Sequence, residues 1–478
     1  MNAAYVTTSY DVSPEAALGA IRAHEGPVLL DLDETLYLGN STEDFIDSAW
    51  PGALALVLLR FLDALAPWRW TGGENTRDVW RVRAISVVFP WTGRRWRARV
   101  VKLALRFTNE RLAAALTAED RSTIITTTGF LPIVAPLVDA LGYGDLKVVA
   151  ARVWTCADRR AGKLALTVAA LGADTVGRAL VITDSAQDLD LLNACARPLR
   201  TVWPEAIRRQ ALNGIYLPGQ YLSQVKRPGT RYIVRGILQE DFAFWVLSSI
   251  AYAGFPVLHV LGLLFLLVSF WAVYERGYVD NDRVAVRYEE SPKLSETFAT
   301  STVATPKWQP WLWAIACGVI GVWLLRWPEQ RPVSALVAWG LVLLATHGWF
   351  YLYNRFDKSS RVWLFAGLQL ARGASFVAVV PVGPMGAVGL GAHVLARWVP
   401  YYLYRLAGKD WPEAPFHLIR LLFFVILGVL VGLANPSAVF SVTALGLLAW
   451  NLFRARQELA AAVAGAHRLD RRRRGPVP

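Results

Sequence analysis

The stretch Val28-Leu29-Leu30-Asp31-Leu32-Asp33-Glu34-Thr35-Leu36 decides how the first part of the chain is read. Three apolar, β-compatible residues run into two carboxylates spaced by one residue, the pattern of a buried strand that ends in a polar turn. Residues two apart on a strand point the same way, so Asp31 and Asp33 can face one ligand together while Leu32 and Thr35 help fix the turn. Carboxylates so placed suit phosphoryl transfer, one attacking and the other moving a proton.

Further along, Ser122-Thr123-Ile124-Ile125 predicts another strand, which ends in Thr126-Thr127-Thr128-Gly129. Gly162-Lys163 stands at the head of a helical run. Leu180-Val181-Ile182-Thr183-Asp184-Ser185-Ala186-Gln187-Asp188 repeats the strand-then-acid design. Mg2+ prefers hard oxygen ligands and keeps waters, which Asp31, Asp184 and Asp188 can supply together with a substrate phosphate.

In order and character these segments resemble the four motifs of the haloacid dehalogenase (HAD) superfamily. The resemblance implies a Rossmann-like α/β core with a parallel sheet, in a domain of about residues 1–205, and a helical cap at about 38–120 between the first two motifs. It implies Asp31 as the nucleophile that forms an aspartyl-phosphate and Asp33 as general acid and base. Thr126 would hold a phosphate oxygen, with Thr127 its nearest rival, and Lys163 would neutralise phosphate and nucleophile. Mg2+ is the implied cofactor, on the set Asp31, Asp33, Asp184 and Asp188. An Asp at position 33 favours hydrolases over family members that lack it. Thr183 departs from the pattern, standing where a Gly is common.

The 478 residues give room for about two or three domains. Hydrophobic content of 54% and 21 Trp exceed what an ordinary soluble enzyme shows, and the excess lies after about residue 240. Cys156, Cys195 and Cys317 offer no even-numbered framework and no CxxC spacing, so neither disulfides nor a zinc site is indicated. A polar, mixed-charge segment follows Met1 in place of an apolar signal core, which predicts a cytosolic N-terminal half. The net charge of +13 comes without a recognised nucleic-acid module. Its arginines cluster beside membrane-like segments, so membrane lipids and not nucleic acid are the expected partner.

Within the cap, Pro51 to Trp68 is unusually apolar, yet Arg60 and Asp63 interrupt it and it is too short for a span. Behind it Arg69, Arg77, Arg81, Arg83, Arg94, Arg95, Arg97, Arg99, Lys102 and Arg106 alternate with Trp68, Trp70, Trp80, Trp91 and Trp96. Trp at headgroup depth and Arg on lipid phosphate make an interfacial chemistry. The cap therefore reads as a membrane-facing lid that presents a phosphorylated headgroup to Asp31. The competing reading is a solvated arginine face over a tryptophan core.

Residues 206–240, with Arg208, Arg209, Lys226, Arg227, Arg231 and Arg235 among apolar positions, read as a basic amphipathic linker. Residues 241–455 read as an all-α transmembrane bundle. The run Phe242–Tyr274 is long enough for one strongly tilted span or two short ones broken near Gly254-Phe255-Pro256; it is counted as two, and apolar blocks follow at about 311–325, 333–353, 362–383, 385–404, 417–434 and 438–453. That makes about eight spans, up to nine. An even count returns the basic tail, residues 456–478 with Arg471-Arg472-Arg473-Arg474, to the side of the N-terminal domain, and the Arg and Lys of alternate loops agree with a cytosolic placement in an inner membrane.

After the span ending at Tyr274 come Glu275-Arg276-Gly277-Tyr278-Val279-Asp280-Asn281-Asp282 and Glu289-Glu290. Acids at the mouth of a helical bundle are costly without a cation, which suggests a Mg2+-diphosphate site. The arrangement resembles the UbiA-type membrane prenyltransferases, whose first acidic motif Asn281, Asp282 and Glu289 match, while Ala285 sits where a metal-binding Asp belongs. Asp357 and Arg361 lie near the second acidic motif. The competing reading is ordinary loop charges answering nearby Arg and Lys.

Three functions follow. The first joins two activities on a polyprenyl lipid, phosphoribose transfer and removal of the remaining phosphate, with the tether replacing a diffusive search. The second is a membrane-anchored phosphatase whose bundle only binds or orients a phosphorylated lipid or lipid-linked sugar phosphate. The third is a transporter or assembly platform regulated by the HAD-like domain. Oligomeric state is not legible.

Overall fold

The computed structural model describes residues 8–117, 122–290, 292–327, 332–357, 360–406 and 414–473. Of the residues named above, Met1 and Arg474 lie outside these. Two compact units divide the chain, Met1–Ile215 and Tyr216–Pro478.

The first unit alternates helices and strands: α1 (Pro14–Arg22), β1 (Val28–Leu30), α2 (Ser41–Ile46), α3 (Gly52–Leu65), α4 (Arg77–Val88), α5 (Thr92–Phe107), α6 (Glu110–Thr117), β2 (Thr123–Phe130), α7 (Leu131–Ala140), β3 (Lys147–Ala151), α8 (Ala157–Leu171), α9 (Ala173–Gly177), β4 (Leu180–Thr183), α10 (Leu189–Ala194) and β5 (Arg197–Arg200). The strands form one parallel sheet in the order β3-β2-β1-β4-β5. Helices cover both faces of such a sheet, which is why β1 and β4 read as unbroken apolar runs and are wholly buried.

Leu30 pairs with Ile125 on one side and Ile182 on the other, so β1, β2 and β4 run level toward the same edge. The order reverses at β1, and a crevice opens beyond the carboxyl ends of β1 and β4. Asp31 is the first residue past β1, and its N–H extends the ladder to Ile182 O at 2.9 Å. Between β1 and β2 every described element is a helix or 3-10 turn. This inserted layer packs on the core through α5, whose buried Trp96 donates from Nε1 to Ile133 O on α7 at 3.0 Å.

The segment read as a linker is shared between the units. Arg208 pairs with Glu34 at 2.5 Å and Arg209 with Asp44 at 2.6 Å in the first. In the second, the Tyr216 hydroxyl and the Gly219 and Leu222 N–H groups converge on buried Glu275, and Lys226 pairs with Asp282 at 2.5 Å. Buried carboxylates need such donors, and they hold the segment against each unit.

The second unit is helical throughout its described elements, with helices at Ala243–Ser249, Pro256–Tyr288, Gln309–Leu325, Pro332–Tyr353, Val362–Ala374, Pro384–Leu406, Phe416–Ala434 and Val442–Arg473 among them. The apolar blocks of the sequence are mostly helical, but the expectation of eight spans is corrected. Among the described residues three helices, Pro256–Tyr288, Pro332–Tyr353 and Phe416–Ala434, are long and apolar enough to cross a membrane. Phe242–Tyr274 is not two spans: a 33-residue helix starts at Pro256 and carries the acidic segment 275–282, read as a loop, inside it. Gln309–Leu325 and Val362–Ala378 fall short in length.

The charges inside these helices have a reason visible in the packing. Fully buried Asp241 binds Arg372 at 2.6 Å, Arg397 at 3.3 Å and His393 at 3.2 Å. Its neighbour Glu240 pairs with Arg420 and, at 2.6 Å, with Arg454. Four arginines from four helices thus answer two adjacent acids, the arrangement that makes buried charge tolerable in an apolar bundle. With three candidate spans, the even-count argument for the sidedness of the tail loses its basis.

Candidate active site

At the crevice beyond β1 and β4, Asp31, Asp33, Lys163, Asp184 and Asp188 line one cavity of about 610 Å3. Lys163 is the hub: its Nζ lies 2.8 Å from Asp31 Oδ2 and 2.7 Å from Asp188 Oδ2, with all three side chains buried. Its approach depends on Gly162, which breaks α8 at φ 83°, ψ 172°, a conformation essentially reserved for glycine. Thr183 Oγ1 sits 2.8 Å from Asp31 Oδ2 and 2.5 Å from Asp188 Oδ2, and its single proton serves one at a time. A hydroxyl therefore stands where the family pattern often has glycine, and it bridges the two carboxylates.

Asp33 faces the cavity from the turn after β1. Its Oδ1 accepts the Ser41 N–H at 2.6 Å and its Oδ2 the Ser41 hydroxyl at 3.0 Å. Ser41 opens α2, whose N-cap is Asn40, so the first turn of a helix is aimed at this carboxylate. Burial, reinforced by the negative charge of Asp31, still pushes Asp33 up to about 7, against the hydrogen bonds from Ser41. Burial raises Asp31 to about 6, with Lys163 pulling it down and Asp188 and Asp184 pushing it up. Asp184 is likewise raised to about 6 by burial and by Glu34, and Arg208 Nη2, 3.3 Å away, opposes that. One carboxyl group poised to carry a proton thus stands beside one paired with a cation.

The three threonines separate by register. Because β2 runs on to Phe130, Thr126 and Thr127 point to opposite faces. Thr127 lines the cavity, and its Oγ1 accepts the Gly129 N–H at 2.9 Å, so its own proton is free for a ligand. Thr126 is turned away, its Oγ1 2.7 Å from that of Thr167. Thr167 donates to Lys163 O at 2.8 Å, so the proton between the two hydroxyls comes from Thr126. Of the two candidates for the phosphate-holding hydroxyl, Thr127 and not Thr126 lies on the cavity wall.

Several lining residues were missed by the sequence reading. Glu43, Glu74, Asn75 and Asp78 come from the inserted helical layer. Arg159 links that layer to the core, its Nη2 3.0 Å from Asp78 and its Nη1 donating to Thr128 O at 2.8 Å. Arg208 and Arg209 arrive from the supposed linker. Only Arg159, a few residues before Gly162, lay near a recognised motif.

The lining holds eight carboxylates, Asp31, Asp33, Glu34, Glu43, Glu74, Asp78, Asp184 and Asp188, against four basic side chains. A phosphate dianion enters such a cavity only with a cation, so the donor set fits Mg2+. Among the described residues no three His, Cys, Asp or Glu side chains form a metal cage. Mg2+ commonly takes one or two carboxylates and completes its shell with water and phosphate. Asp31 and Asp184 suit that mode, whereas Asp33 is committed to Ser41 and Asp188 to Lys163 and Thr183.

The residues of the second candidate site do not all meet. Glu289, Asp357 and Arg361 line a cavity of about 1230 Å3 within the helical unit. Asp282 is buried and bound to Lys226 and to the Tyr221 hydroxyl at 2.9 Å, and neither it nor Asn281 is among the lining residues.

A parallel sheet with acids at the carboxyl ends of two neighbouring strands, bridged by a buried lysine, forms a carboxylate-centred site. Residues 28–193 match the family model of the haloacid dehalogenase-like hydrolases, so this segment is a hydrolase domain of that family. No curated protein and no solved structure matches the chain. The UbiA resemblance of the C-terminal half finds no support among the family matches.

Proposed function

We propose that the N-terminal unit is a Mg2+-dependent phosphomonoester hydrolase working on a phosphorylated substrate at a membrane surface. The observation that carries this reading is the buried Asp31–Lys163–Asp188 cluster at the crevice, with Asp33 beside it. Asp31 attacks phosphorus, the bond to the leaving oxygen breaks, and Asp33 gives that oxygen its proton. Asp33 then takes a proton from water as the water attacks the aspartyl-phosphate, releasing phosphate and restoring Asp31. Lys163 offsets the charge of the nucleophile and the incoming phosphoryl group, and Thr127 donates to a phosphate oxygen. Mg2+ on Asp31 and Asp184 would supply charge neutralisation at the phosphoryl oxygens.

The membrane setting rests on the three span-capable helices of the same chain. The test is release of inorganic phosphate from a panel of soluble and lipid phosphomonoesters by the full chain with Mg2+. Activity that survives Asp31→Asn removes the reading.

For the helical unit, one observation favours a ligand-holding role. Arg361 Nε, Asn354 Oδ1 and His347 Nδ1 are buried without a hydrogen-bond partner among the described residues, and all three residues line the cavity of about 1230 Å3. A phosphorylated lipid or lipid-linked sugar phosphate would satisfy them. Transfer of phosphoribose to polyprenyl phosphate is the less favoured reading, since Asp282 is tied to Lys226 and Ala285 lacks a ligand atom. Full chain that forms labelled lipid from 5-phosphoribosyl diphosphate and polyprenyl phosphate would reverse that order.

A further inference from the structure

Helix α3 lies on the surface of its unit, and apart from Arg60 and Asp63, which sit together on one flank, its side chains are apolar. Ala55, Leu56 and Leu59 face inward and are buried. On the opposite side Leu54, Val57, Phe61 and Leu65, spaced by three, four and four residues, form one stripe that is 54%, 39%, 60% and 53% exposed. Trp50, 60% exposed, stands just before the helix, and the exposed Trp91 donates from Nε1 to Trp50 O at 2.8 Å. A water-soluble domain rarely leaves so continuous a face uncovered.

The charges beside this face select what covers it. Helix α5 begins next to α3, held by the Trp91 bond and by Arg95 Nε on Ser48 O at 3.0 Å. It carries five arginines and one lysine and no acid. Arg94, Arg97, Lys102 and Arg106 are exposed, and none has a carboxylate within ion-pair distance among the described residues. Indoles, an apolar stripe and unanswered cations together match an anionic bilayer surface, apolar below and phosphate-rich above. A second copy fits worse, because a twofold contact on this face brings the cations of both copies toward each other.

We propose that the outer face of α3, flanked by Trp50 and Trp91, seats the cap in an anionic lipid surface, with the α5 cations on the headgroups. The three span-capable helices keep the unit near a bilayer, so a weak interfacial contact is enough. Because Asn75 and Asp78 of the same layer line the active cavity, seating the cap biases the enzyme toward phosphates carried by the bilayer. This last step rests on the phosphatase reading above, but the seating itself does not.

The test uses the full chain in lipid nanodiscs, with the native cysteines replaced and a spin label at position 54 or 61 (Leu54→Cys, Phe61→Cys) or at the control position 174 (Asp174→Cys). Collisions with oxygen report lipid, and collisions with a water-soluble nickel complex report water. In discs containing phosphatidylglycerol the labels at 54 and 61 are expected to favour oxygen and the control nickel. Pure phosphatidylcholine, high salt, or the pair Arg97→Glu and Lys102→Glu should move both labels toward nickel. Nickel dominance at 54 and 61 in every disc overturns the proposal, as does spin–spin broadening that shows a second copy on the face. Phosphate release from a soluble phosphomonoester, measured on the same samples, reports separately on the phosphatase reading.

Discussion

Two neighbouring threonines give the sharpest discrimination, because only one can donate to a ligand. The Thr127 hydroxyl lines the cavity with its proton uncommitted, since its oxygen accepts from Gly129 N–H. Thr127→Ala removes one hydrogen bond to a charged phosphate oxygen, about 1.5–3 kcal/mol, which is about 10- to 150-fold in kcat/KM. The Thr126 hydroxyl spends its proton on Thr167. Thr126→Ala leaves Thr167 bonded to Lys163 O and short of one donor, a stability loss of about 1–2 kcal/mol. Its kcat/KM should change less than about threefold, while its Tm falls by a few degrees for a unit of this size. Steady-state phosphate release and thermal unfolding on both variants decide the matter. If Thr126→Ala loses the activity and Thr127→Ala keeps it, the assignment of faces along β2 is wrong.

Gly162→Ala puts a side chain into the glycine-only region at a position with open space around it, so the cost is backbone strain of about 1–3 kcal/mol. Because Lys163 follows directly, kcat should fall together with Tm. Asp33 is raised to about 7 and is needed with its proton, which is present below that pH and lost as pH rises through it. The kcat profile should therefore decline above about pH 7, and Ser41→Ala, which removes a bond that holds the value down, should move that limb upward. In the helical unit, Asp241→Asn leaves Arg372 and Arg397 without their carboxylate and should cost about 3–5 kcal/mol, read as a lowered Tm of the detergent-solubilised chain.

The core of the first unit was legible because buried parallel strands are short apolar runs, and Val28–Leu30 and Leu180–Ile182 each hand an acid to the same sheet edge. Which threonine faces the cavity was not, since that depends on where β2 ends, and three identical residues carry no signal of register. Arg208 was invisible for a different reason: it reaches Glu34 and Asp184 from the far end of the unit, across a separation no local pattern spans. The span count failed because apolar blocks were tallied without asking what their charged residues do. Arg372, Arg397 and Arg420 lie inside those blocks and are the partners of Asp241 and Glu240, acids that lay outside every motif.

Capture of the covalent intermediate tests the central claim most directly. The full chain is mixed with Mg2+ and a phosphomonoester it hydrolyses, quenched in acid, digested, and its peptides are weighed. One phosphoryl group on the peptide containing Asp31, absent in Asp31→Asn and increased in Asp33→Asn when an activated aryl phosphate is the substrate, is the predicted result. Turnover with no phosphoryl-enzyme at any quench time, or with the phosphoryl group on another residue, would contradict the account.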